Sequence, residues 1–149
     1  MAIQIIPALD DKQTVAFNRR KYNKFHVSPK ADRTVDGKTF SSKLESRVYT
    51  MFRDAGLHFD LQPRYVLQPK FDLNGRHYRE IAYVADFLLH TDAGDIIVDA
   101  KGIETDVFKL KQKMMAFVHH VDIVTLTKIK DIQAFINTWV NRPPPAVAK

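Results

Sequence analysis

The chain has 149 residues, with 23 Lys and Arg against 17 Asp and Glu, and a formal net charge of +6. This length predicts one compact domain, and the basic balance favours an anionic partner. The absence of cysteine excludes disulfides and thiolate zinc sites and is consistent with a cytoplasmic location. We expect no membrane association, because no apolar run is long enough to span a bilayer.

Residues 1–38 are predicted to form an N-terminal arm that is basic from residue 18 onward. Residues 1–17 contain a short apolar piece broken by Pro7, which is typical of an edge strand or of an arm that docks on a partner subunit. The basic part suits a phosphate backbone, because neutralised phosphates release counterions. A solvated arm explains the same composition. The candidate DNA contacts in this arm are Arg19, Arg20, Lys21 and Lys24.

A first helix is predicted over residues 42–55, because apolar side chains recur there at helical spacing and Gly56 follows as a stop signal. Ser42 and Glu45 match the S-x-x-E pattern of a capping box, which would give Glu45 a structural role. Glu45 also lies on the flank of the apolar stripe. It can therefore reach a site on a sheet against which the helix packs.

Extended segments are predicted between this helix and residue 101. Residues 57–71 contain two prolines, which are typical of an edge or of two short strands. Asn74-Gly75 predicts a hairpin turn into a long strand over residues 78–91. A further turn at residues 92–94 then leads into a strand over residues 95–101.

Three charged residues on these last two strands form the most informative pattern in the chain. Asp99 and Lys101 are two apart on one strand and must point to the same face. Asp86 lies close to Asp99 if the strands pair about their turn. Two carboxylates there could hold Mg²⁺, and the lysine could orient a water or offset charge on a phosphate.

A solvated face with a weak ion pair is the alternative interpretation of this pattern. However, Ile96, Ile97 and Val98 are apolar on both faces, which indicates a buried strand. Charges that follow such a run are costly unless they are paired or functional. The residues alone therefore leave a metal site and a structural ion pair both open.

The rest of the chain predicts a helix over residues 105–119, a fourth strand over residues 121–127, a last helix over residues 131–140 and a flexible tail over residues 142–149. The expected apolar face of the second helix is Val107, Leu110, Met114 and Phe117 or Val118. Its candidate DNA contacts, which a solvated face explains equally well, are Lys109, Lys111 and Lys113. The order of elements predicts an α/β fold in which a mixed sheet is flanked by helices.

The sequences DFLL at residues 86–89 and IVDAKG at residues 97–102 resemble the PD-(D/E)XK nuclease superfamily. A closer similarity, to the phage endonuclease I family of Holliday-junction resolvases and to a family of small phage proteins, runs from Asn23 to about Met115. It includes VDGKTFSSKLESR at residues 35–47. Two departures from the pattern are Ala85, where a proline is usual, and Asp99, where a glutamate is more common.

The resemblance implies a restriction-endonuclease-like core over residues 39–141 with the order α-β-β-β-α-β-α. It also implies the roles of individual residues. Asp86 and Asp99 would be metal ligands, the Ala100 carbonyl a further ligand, Lys101 the catalytic lysine, and Glu45 the acidic residue from the first helix. The implied metal is Mg²⁺, with Mn²⁺ able to replace it.

The function implied by the resemblance is a metal-dependent DNA endonuclease that selects branched DNA such as four-way junctions. Because such an enzyme cuts two strands symmetrically, a homodimer is expected. Two alternatives remain open. One is a nicking or restriction-type endonuclease on linear duplex DNA, and the other is a DNA-binding phage protein without catalysis.

Overall fold

The structure, a computed structural model, describes residues 27–140. Within them, a 3₁₀ turn at Lys30–Arg33 comes before the other elements. The helices are α1 (Lys43–Asp54), α2 (Asp106–His119) and α3 (Ile129–Val140). The strands are β1 (Thr34–Val35), β2 (Lys38–Thr39), β3 (Phe59–Leu61), β4 (Arg64–Gln68), β5 (Phe71–Leu73), β6 (Arg76–Tyr78), β7 (Ile81–Val84), β8 (Phe87–Thr91), β9 (Gly94–Ala100) and β10 (Ile123–Leu126).

The core sheet has four strands in the order β10-β9-β8-β3. β8 and β9 form an antiparallel hairpin about the predicted turn, with Phe87 opposite Val98. β3 is antiparallel to β8, whereas β10 is parallel to β9. The mixed sheet and its helices confirm the predicted α/β fold, and the core elements follow the predicted order α1-β3-β8-β9-α2-β10-α3.

Alternation along β9 sends neighbouring side chains into two different apolar layers. Val98 and Ala100 lie in the larger layer, which α1 and α3 cover. Ile97 lies in a smaller layer with Phe108 and Met115 of α2. Because side chains two apart share a face, Asp99 points toward the α2 side.

The helix predictions at α1 and α2 are confirmed, and each helix begins after a side-chain cap. Ser42 accepts a hydrogen bond from Glu45 N, and Thr105 accepts one from Phe108 N. Such caps satisfy backbone donors that have no partner within the helix. None of the helices within residues 27–140 has the length and apolar character that crossing a membrane requires.

The single long strand predicted over residues 78–91 is wrong. The chain there forms β6, β7 and β8, because it leaves one ladder and joins another. β7 pairs with β4 in a separate two-stranded sheet, and β8 pairs with β9 in the core sheet. Asp86 therefore lies directly before β8, at the crossing point where the chain passes from the β4–β7 ladder to the core sheet. Its side chain is not confined to one face of a continuous sheet.

The apolar face predicted for α2 is also largely wrong. Val107 and Phe117 are 63% and 83% exposed, and Leu110 is exposed as well. The helix instead buries Phe108 and Met115, which pack in the layer that contains Ile97. Both sets of residues have helical spacing, so the pattern alone does not determine which one faces the sheet.

Part of the predicted N-terminal arm belongs to the described fold. β1 and β2 form a hairpin about Asp36-Gly37, both of which have positive φ, as a tight two-residue turn requires. The Tyr49 hydroxyl of α1 donates to Asp36 Oδ2 at 3.1 Å. The hairpin spans residue 38, where the boundary between arm and core is predicted. Residues 1–17, the candidate contacts Arg19, Arg20, Lys21 and Lys24, and the tail at residues 142–149 lie outside the described residues.

Candidate active site

A cleft of about 440 Å³ lies where β7 and β9 end and α1 begins. It brings together three of the four predicted catalytic side chains, which come from three separate segments of the sequence. The fourth, Asp99, is only 1% exposed and lies behind the wall of the cleft, in contact with Lys101. The lining residues are Ser41, Ser42, Glu45, Gln62, Val84, Ala85, Asp86, Ala100, Lys101 and Gly102.

Asp86 connects the crossing point of the chain to the end of β9. Its Oδ2 accepts a hydrogen bond from Ala100 N at 2.8 Å. Extending the β8–β9 register by one residue places Asp86 opposite Asp99. Burial raises the pKa of Asp86 to about 7, and the negative charges of Asp99 and Glu45 contribute to this rise. The environment of Asp86 therefore disfavours its ionised form.

Asp99 is a buried carboxylate with unequal oxygens. Its Oδ1 accepts a hydrogen bond from the Tyr83 hydroxyl at 2.9 Å. Its Oδ2 lies 3.2 Å from Lys101 Nζ, but it has no hydrogen-bond partner among the described residues, since this ion pair lacks hydrogen-bond geometry. A buried carboxylate oxygen in this state is costly, and a cation would stabilise it.

Tyr83 is a site residue that the sequence analysis does not identify. Burial, followed by the charge of Asp99, raises the pKa of its phenol, so the hydroxyl stays protonated and donates to the carboxylate. Tyr83 lies on β7 and Asp99 on β9, which belong to different ladders. No local sequence signal joins two residues across such a break.

Lys101 lies between the buried carboxylate and the cleft. Its side chain is 34% exposed, and its Nζ is 5.0 Å from the centroid of the Phe108 ring. Its backbone N–H donates to Leu126 O, which fixes the chain just beyond β9. The ammonium group therefore contacts Asp99 and still lines a cavity that is open to solvent. This geometry agrees with the common face predicted for Asp99 and Lys101.

Glu45 takes part in the hydrogen bonds around the cap of α1 and lines the cleft. Its Oε2 accepts a hydrogen bond from Ser41 N, and its own N–H donates to Ser42 Oγ, each at 3.0 Å. The carboxylate is nevertheless buried, and this burial raises its pKa, with a further contribution from Asp99. The capping contact and the position beside the other acids, which the sequence presents as alternatives, are both present.

The cleft has an unbalanced set of charges. Within residues 27–140, the carboxylates of Glu45 and Asp86 in the cleft and of Asp99 behind it are accompanied by one ammonium group, that of Lys101, so full ionisation leaves two negative charges. No group of three or more Asp, Glu, His or Cys side chains within residues 27–140 is close enough together to hold a metal unaided. One or two carboxylates with water completing the shell is the usual arrangement for Mg²⁺, so these donors suit Mg²⁺ better than a closed zinc site.

The predicted DNA contacts on α2 differ in their surroundings. Lys111 Nζ donates to Ala82 O at 2.8 Å, so the fold itself holds this side chain. Lys109 and Lys113 are exposed. Gln62, a residue of the cleft wall that the sequence analysis does not identify, has a positive φ of 53° and donates its N–H to Asp86 O. It thereby helps to hold the backbone of Asp86 at the crossing point.

Comparisons with known proteins identify a family but no characterised relative. No curated protein and no solved structure matches this chain. A family model described as "Protein of unknown function (DUF1064)" matches residues 19–134, which include every residue of the cleft. The chain therefore belongs to the DUF1064 family.

Proposed function

We propose that this protein is a metal-dependent DNA endonuclease of the PD-(D/E)XK type. The observation that carries the proposal is the cleft in which Glu45, Asp86 and Lys101 meet, with the carboxylate of Asp99 directly behind it. The order of the core elements is consistent with the nuclease resemblance. The formal net charge of +6 is consistent with a polyanionic substrate.

The side chains of the cleft have complementary roles in this proposal. Asp86 and Asp99, with the Ala100 carbonyl, would hold Mg²⁺, which when bound supplies an activated water and offsets charge on the phosphate. Asp86 must lose its proton before it can act as a ligand. Lys101 can turn from Asp99 to a phosphate oxygen, because its side chain reaches both the carboxylate and the open cavity.

This chemistry needs no covalent intermediate, because water is the attacking group. The Lys101 ammonium stabilises negative charge that grows on the phosphate oxygens during hydrolysis. Glu45 holds the first turn of α1 against the cleft through Ser41. Burial first, and then the charges of Asp99 and Glu45, keep the pKa of Asp86 high in the absence of a cation, so that occupation of the site and ionisation of Asp86 are linked.

Nicking of supercoiled plasmid tests the proposal, with Mg²⁺ in one reaction and EDTA in the other. The wild type should nick only with Mg²⁺, whereas Asp86→Asn and Lys101→Ala should lose roughly 100-fold or more of the rate. Asp92→Asn, in the exposed turn before β9, is the matched control and should retain full activity. Near-normal nicking by Asp86→Asn would contradict the proposal.

The substrate preference that the resemblance implies is branched DNA. Cleavage of a four-way junction should be compared with cleavage of a linear duplex of equal length and sequence. Faster cleavage of the junction supports a resolvase. Equal rates would remove the preference for branched DNA and leave an endonuclease that acts on linear duplex.

A DNA-binding protein without catalysis is the second candidate, and the burial of Asp99 favours it. This carboxylate is 1% exposed and already contacts Tyr83 and Lys101, an arrangement that an inert structural ion pair would also have. On this alternative the wild type binds DNA in a salt-dependent way but does not nick it with Mg²⁺ or Mn²⁺. The plasmid assay separates the two candidates directly.

A further inference from the structure

An exposed apolar stripe runs along α2 and the residues just before it. Ile103, Val107, Leu110 and Phe117 are 84%, 63%, 58% and 83% exposed. Together with the half-buried Met114, they are spaced alternately four and three residues apart. The four of them on α2 have the spacing by which two helices pack along a common seam, and Ile103 lies just before the helix. Exposed apolar patches of this kind mark interaction sites in soluble proteins.

The charges beside the stripe change sign along it. Glu104 and Asp106 are acidic at its beginning, and Lys111 and Lys113 are basic one to two turns later. Two identical helices in parallel would place equal charges opposite each other. An antiparallel pair instead places the acidic end of each helix beside the basic part of the other.

We propose that α2 is the docking surface for a second copy of this chain, with the two helices antiparallel about a two-fold axis. Val107 then packs against the partner's Leu110, and Met114 faces the segment just before the partner's α2, which includes the partner's Ile103. The symmetry repeats both contacts, as a two-fold interface requires. The axis passes between Phe108 and Lys109, on the exposed side of the helix.

The same register also places opposite charges together. When Val107 faces the partner's Leu110, Asp106 lies beside the partner's Lys113, and Glu104, just before α2, lies at the end of the helix that faces the partner's Lys111. Lys111 already donates to Ala82 O, so the pair of Asp106 and the partner's Lys113 is the better one to test. Apolar layers and charge pairs thus agree on one register. This assigns Lys113 to the interface and not to DNA.

The dimer has a consequence that rests on the proposed function. α2 starts five residues after Lys101, and in this register the two helix starts are about 12 Å apart, from a rise of 1.5 Å per residue and an interaxial distance of 8–10 Å. The two clefts therefore lie on either side of one axis. This arrangement suits an enzyme that cuts two strands.

Sedimentation velocity and light scattering of the full chain, without DNA or metal, test the interface. The wild type should have twice the 17.2 kDa chain mass, and Leu110→Glu should be monomeric. Asp106→Lys or Lys113→Asp alone should raise the dimer dissociation constant at least about 10-fold. The double variant Asp106→Lys/Lys113→Asp should restore the dimer. Lys109→Asp, on the same helix but outside the stripe, is the control for charge and should leave the mass unchanged.

Three results would overturn this proposal. One is a wild type that is monomeric at high concentration, whether or not residues 1–17 cover the stripe. The second is a dimer that Leu110→Glu does not affect, provided that circular dichroism shows both proteins folded. The third is a double variant no better than its single variants. None of these masses depends on cleavage, so failure of the proposed nuclease leaves the test valid.

Discussion

Two groups of acidic residues lie at opposite ends of the β8–β9 hairpin, and they differ in how their charge is balanced. At the turn end, His90 lies between two carboxylates, with Nδ1 at 2.8 Å from Asp95 and Nε2 at 2.9 Å from Asp60. Both carboxylates are exposed to solvent. At the other end, Asp86 and Asp99 are largely withdrawn from solvent, with Glu45 nearby.

The pKa directions show the difference between the two groups. Asp95 and Asp60 raise the pKa of His90, because a protonated imidazole complements both of them. In the cleft, burial raises the pKa of Asp86, and the neighbouring acids raise it further. The first group is exposed to solvent, and protonation of His90 offsets one of its two negative charges. The second has an excess of buried negative charge that a cation from solution would neutralise.

The largest expected effect contrasts two aspartates of the same strand. Asp99→Asn should lower the rate of DNA cleavage roughly 100-fold or more, because it removes a proposed metal ligand. Asp95→Asn, four residues earlier on β9, makes the same chemical change in the exposed group at the turn end and should stay within about 3-fold of wild type. Plasmid nicking measures both, with DNA affinity as the control for binding. Equal losses in the two variants would remove the distinction between the groups.

The next effect is on stability as a function of pH without metal. The pKa of Asp86 is raised in the folded state, so the folded chain binds more protons than the unfolded chain between pH 3.8 and about 7. Stability should fall as pH rises through this window, by on the order of 2–4 kcal/mol for this group. Asp86→Asn should flatten the curve.

His90 affects stability in a different pH window. Its raised pKa means that its contribution is complete below the model-peptide value of 6.5 and is lost as pH rises above it. His90→Gln should therefore change the curve only at its alkaline end, and only slightly, because the group is exposed. Urea unfolding at a series of pH values measures both. A wild-type curve that Asp86→Asn leaves unchanged would contradict the raised pKa.

A smaller effect is expected from Tyr83→Phe. The variant removes the Tyr83 hydrogen bond to Asp99 Oδ1, so that neither oxygen of this buried carboxylate keeps a hydrogen-bond donor among residues 27–140. The free energy of unfolding should fall by about 1–3 kcal/mol. Tyr78→Phe, on the exposed β5–β6 hairpin, is the control and should have little effect. If the two variants are equally stable, the Tyr83 contact contributes nothing.

The sequence predicts those parts of the fold that local signals determine. The Ser42 cap starts α1, and the turn at residues 92–94 joins β8 to β9. Alternation along β9 and into the residue that follows it correctly places Asp99 and Lys101 on the same side. These features depend on neighbouring residues and on backbone geometry, which a single sequence shows directly.

The remaining features depend on contacts between distant segments. The switch of ladders at residues 85–86 arises because β7 pairs with β4, a choice that no residue of β7 signals by itself. The contact of Tyr83 with Asp99 follows from that switch. On α2, the face with Phe108 and Met115 and the face with Val107 and Leu110 are both apolar, and only packing determines which of them is buried against the sheet.

Calorimetric titration of Mg²⁺ into the protein, in buffers of different ionisation enthalpy, tests the central claim most directly. The wild type should bind Mg²⁺ near pH 6.5 and release protons as it does so, because the pKa of Asp86 is about 7 before binding and a ligand must be ionised. Asp86→Asn should bind more weakly and without that release, and Asp95→Asn should behave as wild type. No heat of binding in the wild type, or equal proton release from Asp86→Asn, would contradict the claim that this cleft holds a divalent cation.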